Sequence, residues 1–278
     1  SFRYQFEKNP KSIKKPTITR PYKEEYNRLK NLELSYKKVE KFIKICEELN
    51  VIPLTTCFAR EHIGPLKEIG FKAIKVASYD CASFQMIEEL RKEFKFLIVS
   101  TGATYDDEIE KTCDILKNHK YALLHCITKY PTEFKDLNLS RIKFLQKHTP
   151  NVGYSDHSKS FSKKKNLASM LSILFGAKYI ERHVTILDEN DTKDGKVSIY
   201  PSDISEILKF SILSSYEKKA FLKKNFNISK FKKYLGNPKR NLSQEELLNR
   251  DYYRGRFISH SKKDKYREIN NWEFAKIN

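Results

Sequence analysis

The chain has 278 residues, of which 54 are basic and 35 acidic, for a net charge of +19, and 39% are hydrophobic, including 18 Phe and 16 Tyr. That is enough apolar material for one large domain, or one domain with an appendage, and it excludes a disordered tail-like protein. The five scattered cysteines (Cys46, Cys57, Cys81, Cys113, Cys126) contain no CxxC pair. They argue against a disulfide framework or a structural zinc site, and for a reducing, cytoplasmic compartment.

In chain order, strand-like runs alternate with amphipathic stretches. "FRYQF" (2–6) reads as a strand, and "SYKKVEKFIKICEELN" (35–50) as a helix with Val39, Phe42, Ile43 and Cys46 at helical spacing. "VIPLTT" (51–56), "KAIKVAS" (72–78) and "FKFLIVS" (94–100) read as strands, with a helix at "SFQMIEELRKE" (83–93). A helix at "TYDDEIEKTCDILKNH" (104–119), capped by Thr104, leads to the strands "KYALLHC" (120–126) and "NVGYS" (151–155). The helix "SKKKNLASMLSILFG" (162–176) ends on Gly176 as a C-terminal cap and precedes the strand "AKYIERHVT" (177–185). Repeated βα units with continuously apolar strands predict a parallel sheet covered by helices. With no GxGxxG turn to favour an open doubly wound sheet, the α/β class expected is a TIM-like (β/α)8 barrel. After about residue 222 the pattern gives way to polar, charged sequence, so the boundaries are 1–222 for the barrel and 223–278 for a linker with a small element, "YRGRFIS" (253–259) being a lone strand. No run approaches membrane-spanning length, and residue 1 onward does not read as a signal peptide.

In a barrel of this kind the chemistry sits at the C-terminal ends of the strands. Polar residues gather there: Thr55 and Thr56, Lys75 and Ser78, Ser100, Thr101 and Gly102, Thr128, Lys129 and Tyr130, Ser155, Asp156 and His157, then Arg182 and His183. Taken singly, a Ser or Thr at a strand end is an ordinary turn residue. Lys75 is different, because it interrupts an apolar run where an uncompensated charge is costly. Hydroxyls, a lysine and a glycine turn on convergent loops suit a phosphate or carboxylate. His157 and His183 could share a metal ion, whereas His125, between Leu124 and Cys126, reads as a hydrogen-bonded core residue. Asp156 reads as structural or orienting. The positive charge fits an anionic small substrate. It also leaves open a polyanion binder, although no nucleic-acid-reading motif is present and specific nucleic-acid binding is not expected.

The segments "KVAS", "IVSTGAT", "YALLHCITKYPT", "VGYSDHS", "FGAKYIERHVT" and "DENDTKDGKVSIYPSD" resemble the barrel domain of the sialic acid synthase family over roughly residues 50 to 215. The family comprises N-acetylneuraminate, legionaminate and pseudaminate synthases, transferases of surface polysaccharide biosynthesis. The resemblance implies condensation of phosphoenolpyruvate with an N-acetylmannosamine-like sugar to a nine-carbon 2-keto acid. It implies a divalent metal, Mn2+ or Mg2+, on His157 and His183, and phosphoenolpyruvate contacts at Thr56, Lys75, Ser78, Ser100 and Ser155. It implies that Thr128 binds substrate and that Asp194 contacts the sugar, and it gives Lys75, Tyr130 and Asp194 catalytic roles. It also implies a homodimer and no membrane association.

The chain departs from the family pattern at several points. Tyr79 and Asp80 stand where Gly-Glu is usual, Thr128 where Asn or Ser is usual, and Thr192-Lys193 where Gly-Pro precedes Asp194. "FRYQF" resembles the second strand of the family, with Arg3 in place of a substrate-binding lysine, so the first βα unit is expected to be missing. "YRGRFISHSKKDKYREINNWEF" resembles only the start of an antifreeze-like domain. A catalytically impaired relative, or a gene fragment that keeps the metal and phosphate pocket, is therefore the alternative to an active synthase.

Overall fold

The computed structural model describes residues 22–254 except 161, 229 and 230, together with 257–258 and 270–271. The strand expected at residues 2–6, and Arg3 with it, lie outside the described residues. Helices α1 (Tyr22–Leu32) and α2 (Tyr36–Glu48) lead into β1 (Thr55–Thr56), α3 (Ile63–Ile69) and β2 (Ala73–Val76). The βα alternation continues through α4 (Phe84–Glu93), β3 (Phe96–Ser100), α5 (Asp106–Ile115) and β4 (Tyr121–Cys126). It then runs through α6 (Arg141–Leu145), β5 (Val152–Asp156), α7 (Leu167–Leu174), β6 (Tyr179–Val184) and β7 (Ser198–Ile199). Helices α8 (Pro201–Ser211), α9 (Ser215–Phe226) and α10 (Gln244–Arg254) follow, and β8 (Phe257–Ile258) pairs antiparallel with β9 (Asn270–Asn271).

The seven strands β1–β7 form one sheet in sequential order, every pair parallel. Sequential order without reversal is the arrangement of a TIM barrel, and among the described residues it forms an open half-barrel with β1 and β7 at its edges. The seventh strand, Ser198–Ile199, was not foreseen, because two residues are too short to show a period. α5 begins one residue later than expected. Tyr105, not Thr104, is the N-cap, and Glu108 Oε2 accepts from its backbone N–H at 3.0 Å. Gly176, at φ 100°, ends the turn after α7 as foreseen.

Alternation along each strand sorts the two faces. On β2, Ile74 and Val76 point to the helical layer, as do Leu97 and Val99 on β3 and Leu123 on β4, and all are fully buried. They pack with Met86, Ile87 and Leu90 of α4, Ile109 of α5, Ile142 of α6 and Met170 and Leu171 of α7. Each fully buried aliphatic side chain contributes roughly 1.5–3 kcal/mol. The odd-phase residues of the same strands, Lys75 first among them, are thereby turned to the other, concave face.

The segment after 222 is more structured than its composition suggests. α9 runs to Phe226, and α10 packs back on the strand-end loops, with Glu246 and Arg250 buried. Ser243 and Glu246 close a capping box. The Ser243 backbone N–H donates to Glu246 Oε2 at 3.0 Å, and the Glu246 backbone N–H donates to Ser243 Oγ at 3.3 Å.

Candidate active site

Register places the polar residues together. In a parallel sheet, cross-strand partners share a face. The pairings Thr56 with Lys75, Lys75 with Ile98, Ser100 with Leu124, Cys126 with Ser155, Ser155 with Glu181 and His183 with Ser198 trace one continuous surface. On it stand Thr56, Lys75, Ser100, Cys126, Ser155, Glu181 and His183. His125 falls on the opposite face, paired in register with Tyr154, and its Nε2 bonds the Leu137 carbonyl at 2.8 Å. It is a core histidine, as the sequence suggested.

The first cluster is built on Lys75, which is only 7% exposed. Its Nζ lies 3.3 Å from Glu181 Oε2, and Ser155 Oγ donates to Glu181 Oε1 at 2.6 Å. Glu181 belongs to the "AKYIERHVT" strand, where the sequence by itself points to no role for it. The signal that could have found it is its position two residues before His183, on the same strand face.

The second cluster forms where three loops meet at Gly102. Its backbone N–H donates to Ser78 Oγ at 3.2 Å, and Thr104 Oγ1 donates to Ser78 O at 3.1 Å. A Cβ at Gly102 would stand 2.7 Å from the Thr128 methyl, 2.9 Å from Cys126 Sγ and 3.0 Å from Ser78 Oγ, so no side chain fits. Ser100 Oγ and Thr128 Oγ1 are buried here and have no protein partner. Buried hydroxyls are nearly always satisfied, so this pair marks capacity for a ligand or water. Burial pushes the Cys126 thiol up to about 11, which keeps it protonated and poorly suited to metal binding.

The third cluster holds the two histidines. His157 is 3% exposed, and its Nδ1 faces the Ile127 carbonyl at 3.0 Å. A carbonyl only accepts, so Nδ1 carries the proton and Nε2 presents its lone pair. Tyr130 donates to that Nε2 at 3.0 Å and stacks on the ring at 4.1 Å, while Ser155 Oγ stands 3.4 Å away. The His157 and His183 rings are 5.5 Å apart between centroids, edge to face. Burial lowers both imidazole pKa values, and for His183 the neighbouring His157 lowers it further. Both rings are therefore neutral near pH 7, the state a metal ligand needs. Asp194 Oδ2 lies 3.6 Å from His183 Nδ1. Among the described residues no group of three or more His, Cys, Asp or Glu forms a closed metal cage. Two neutral imidazoles side by side could each offer a nitrogen to a metal ion.

Asp156, between Ser155 and His157, points away from these clusters. It is fully buried, accepts from the Ser158 backbone N–H at 2.8 Å and from Ser169 Oγ at 2.6 Å, and pairs with Arg182 Nη1 at 2.8 Å. It fixes the end of β5, which carries Ser155, and the turn after it, which carries His157. Thr56 lies on the short edge strand beside Lys75, half-buried.

Comparison with known proteins fits this geometry. The model of the NeuB family matches residues 4–217. The N,N'-diacetyllegionaminic acid synthase of Campylobacter jejuni is 30% identical over 182 residues, covering 63% of this chain and 53% of the relative. The human N-acetylneuraminate-9-phosphate synthase is 26% identical over 74% of this chain and 57% of its own length. The chain thus spans about half the length of these curated relatives. Among solved structures, the N-acetylneuraminic acid synthetase of Leptospira borgpetersenii superposes with a TM-score of 0.63 at 27% identity, over 83% of this chain and 74% of that one. A truncated 3-deoxy-D-arabino-heptulosonate 7-phosphate synthase of Thermotoga maritima, at 17% identity and a TM-score of 0.53, shares the fold alone.

Proposed function

Because the chain belongs to the NeuB family, we propose that it condenses phosphoenolpyruvate with an N-acetylmannosamine-like sugar to a nine-carbon 2-keto acid, releasing phosphate. The observation that carries this reading is the continuity of the concave face. Lys75 reaches Glu181 at 3.3 Å, Glu181 reaches Ser155 at 2.6 Å, and Ser155 reaches His157 Nε2 at 3.4 Å. A lysine- and hydroxyl-bearing end and an imidazole end therefore share one face, which supports this reading.

In this reading Lys75 and the hydroxyls of Thr56, Ser78, Ser100 and Ser155 hold the phosphate and carboxylate of phosphoenolpyruvate. The unpartnered Ser100 Oγ and Thr128 Oγ1 gain acceptors when substrate binds. Without substrate Glu181 accepts the Ser155 proton and pairs with Lys75, and both donors turn to the anion when phosphoenolpyruvate binds. His157 and His183 would hold Mn2+ or Mg2+, which when bound supplies Lewis acidity toward the sugar aldehyde. Tyr130 donates to His157 Nε2 in its absence, and Asp194 lies beside His183 to meet the sugar. C3 of phosphoenolpyruvate attacks the aldehyde carbon and the aldehyde oxygen takes up a proton. Water then adds at the cationic C2, loses a proton, and the tetrahedral centre expels phosphate. The protein's contribution is orientation and electrostatic complementarity.

The test is phosphate release from phosphoenolpyruvate with N-acetylmannosamine and Mn2+ present together, against mixtures lacking either. Release that requires both supports the synthase. Tight phosphoenolpyruvate and Mn2+ binding without release supports the impaired relative instead, in keeping with the departures at Tyr79 and Asp80. No binding of either ligand refutes both. A homodimer is part of the same proposal and is read by light scattering.

A further inference from the structure

Helix α10 lies across the mouth of the half-barrel, and one of its faces touches three consecutive strand-end loops. Glu246, Asn249, Arg250 and Tyr253 recur at the spacing of a single helix face. Asn249 Nδ2 donates to the Thr128 carbonyl at 2.8 Å, in the loop that carries Tyr130. Arg250 Nη1 donates to the Ala103 carbonyl at 2.7 Å, and its Nη2 to Glu108 Oε1 at 2.5 Å. Its guanidinium also covers the Tyr105 ring at 4.4 Å. Tyr253 stacks on Tyr79, next to Ser78, with ring centroids 4.3 Å apart. Arg240 secures the start of the helix through a bidentate pair with buried Glu246, at 2.6 and 2.7 Å.

We propose that α10 is a positioning strap for the site, with Arg250 setting the phosphate-side loop 101–104 and Asn249 the imidazole-side loop 128–130; the catalytic part of this inference rests on the proposed function. Arg250 is 6% exposed, and the carbonyl it fixes belongs to Ala103, a non-glycine residue held at φ 49°. That conformation is costly for alanine and persists only when its surroundings over-determine it. The preceding residue is Gly102, whose N–H meets Ser78 Oγ at the point where no Cβ fits. Releasing the Ala103 carbonyl therefore frees Gly102 to move away from Ser78 and Thr128. Arg250 and Asn249 bond backbone carbonyls of the loops, so they act on the site through those loops.

The experiment uses the full chain, native and as Arg250→Met, Arg250→Lys and Asn249→Ala. Hydrogen exchange is read at loop amides, and calorimetry measures phosphoenolpyruvate and Mn2+ separately. Arg250→Met is expected to speed exchange at Gly102 and Tyr105 and weaken phosphoenolpyruvate binding, each by roughly tenfold or more, the factor carried by a hydrogen bond from a charged donor. Mn2+ affinity should stay unchanged, and Arg250→Lys should restore part of the loss. Asn249→Ala should loosen residues 128–130 and leave Gly102 protected. A split of this kind is not produced by general destabilisation. Unchanged exchange at Gly102 and Tyr105 in folded Arg250→Met overturns the strap, as does equal weakening of both ligands. If Arg250→Met does not fold, unchanged exchange at 128–130 in Asn249→Ala overturns it. If the native chain binds no phosphoenolpyruvate, the proposed function fails, and loop exchange alone upholds or overturns the strap.

Discussion

Replacing Lys75 with Met separates a residue kept for binding from one kept for stability. The substitution removes the ammonium and keeps an unbranched stem that fills the same space. Among the described residues its ion-pair partner is Glu181, 3.3 Å away, whose side chain is 38% exposed and retains the Ser155 hydroxyl. The variant therefore strands no buried charge. In the native chain, dehydrating the ammonium costs several kcal/mol, and a single pair offsets that only in part. The expected stability of Lys75→Met is within about 1 kcal/mol of native, or above it. The binding side moves the other way. A charge-assisted hydrogen bond to phosphate or carboxylate is worth about 1.5–3 kcal/mol, so phosphoenolpyruvate affinity should fall between about tenfold and a hundredfold or more. Urea unfolding gives the first quantity and calorimetry with phosphoenolpyruvate the second. A stability loss above about 3 kcal/mol with affinity unchanged would show that Lys75 is a structural tie and refute the reasoning.

Asp156→Ala should do the reverse, costing about 3–5 kcal/mol because it leaves the Arg182 guanidinium, only 4% exposed, without its carboxylate; a loss below about 1 kcal/mol in urea unfolding contradicts the assigned network. His157→Ala and His183→Ala should abolish Mn2+ binding by calorimetry, whereas His125→Ala keeps it and costs about 2–4 kcal/mol through a cavity and an unpaired Leu137 carbonyl. Mn2+ affinity intact in both ligand variants rules out the metal assignment. Burial holds the His125 pKa at about 3 against an ordinary 6.5. The unfolded chain thus takes up a proton below 6.5 that the folded chain refuses until about 3, and stability falls as pH drops through that window. Urea midpoints measured from pH 7 to pH 4 should decline in the native chain and decline less in His125→Phe. Parallel profiles for the two contradict this.

The sequence alone determined the alternation of strands and helices, because the apolar runs of residues 72–78, 94–100 and 120–126 and the helical periods between them are local properties. It also marked Lys75 by the cost of a charge in an apolar run, and His125 and Asp156 as structural by their surroundings. Glu181 escaped because its meaning comes from the register of β5 against β6, which sets it opposite Ser155. β7 escaped because two residues hold no period. α10 was not read from the sequence, since its polar and charged residues resemble a solvated linker until their partners are known. Those partners, Thr128 and Ala103, lie 121 and 147 positions away. Only the tertiary structure could decide that these charges are buried, because burial of an arginine depends on which distant carbonyl meets it, and local pattern carries no record of that meeting.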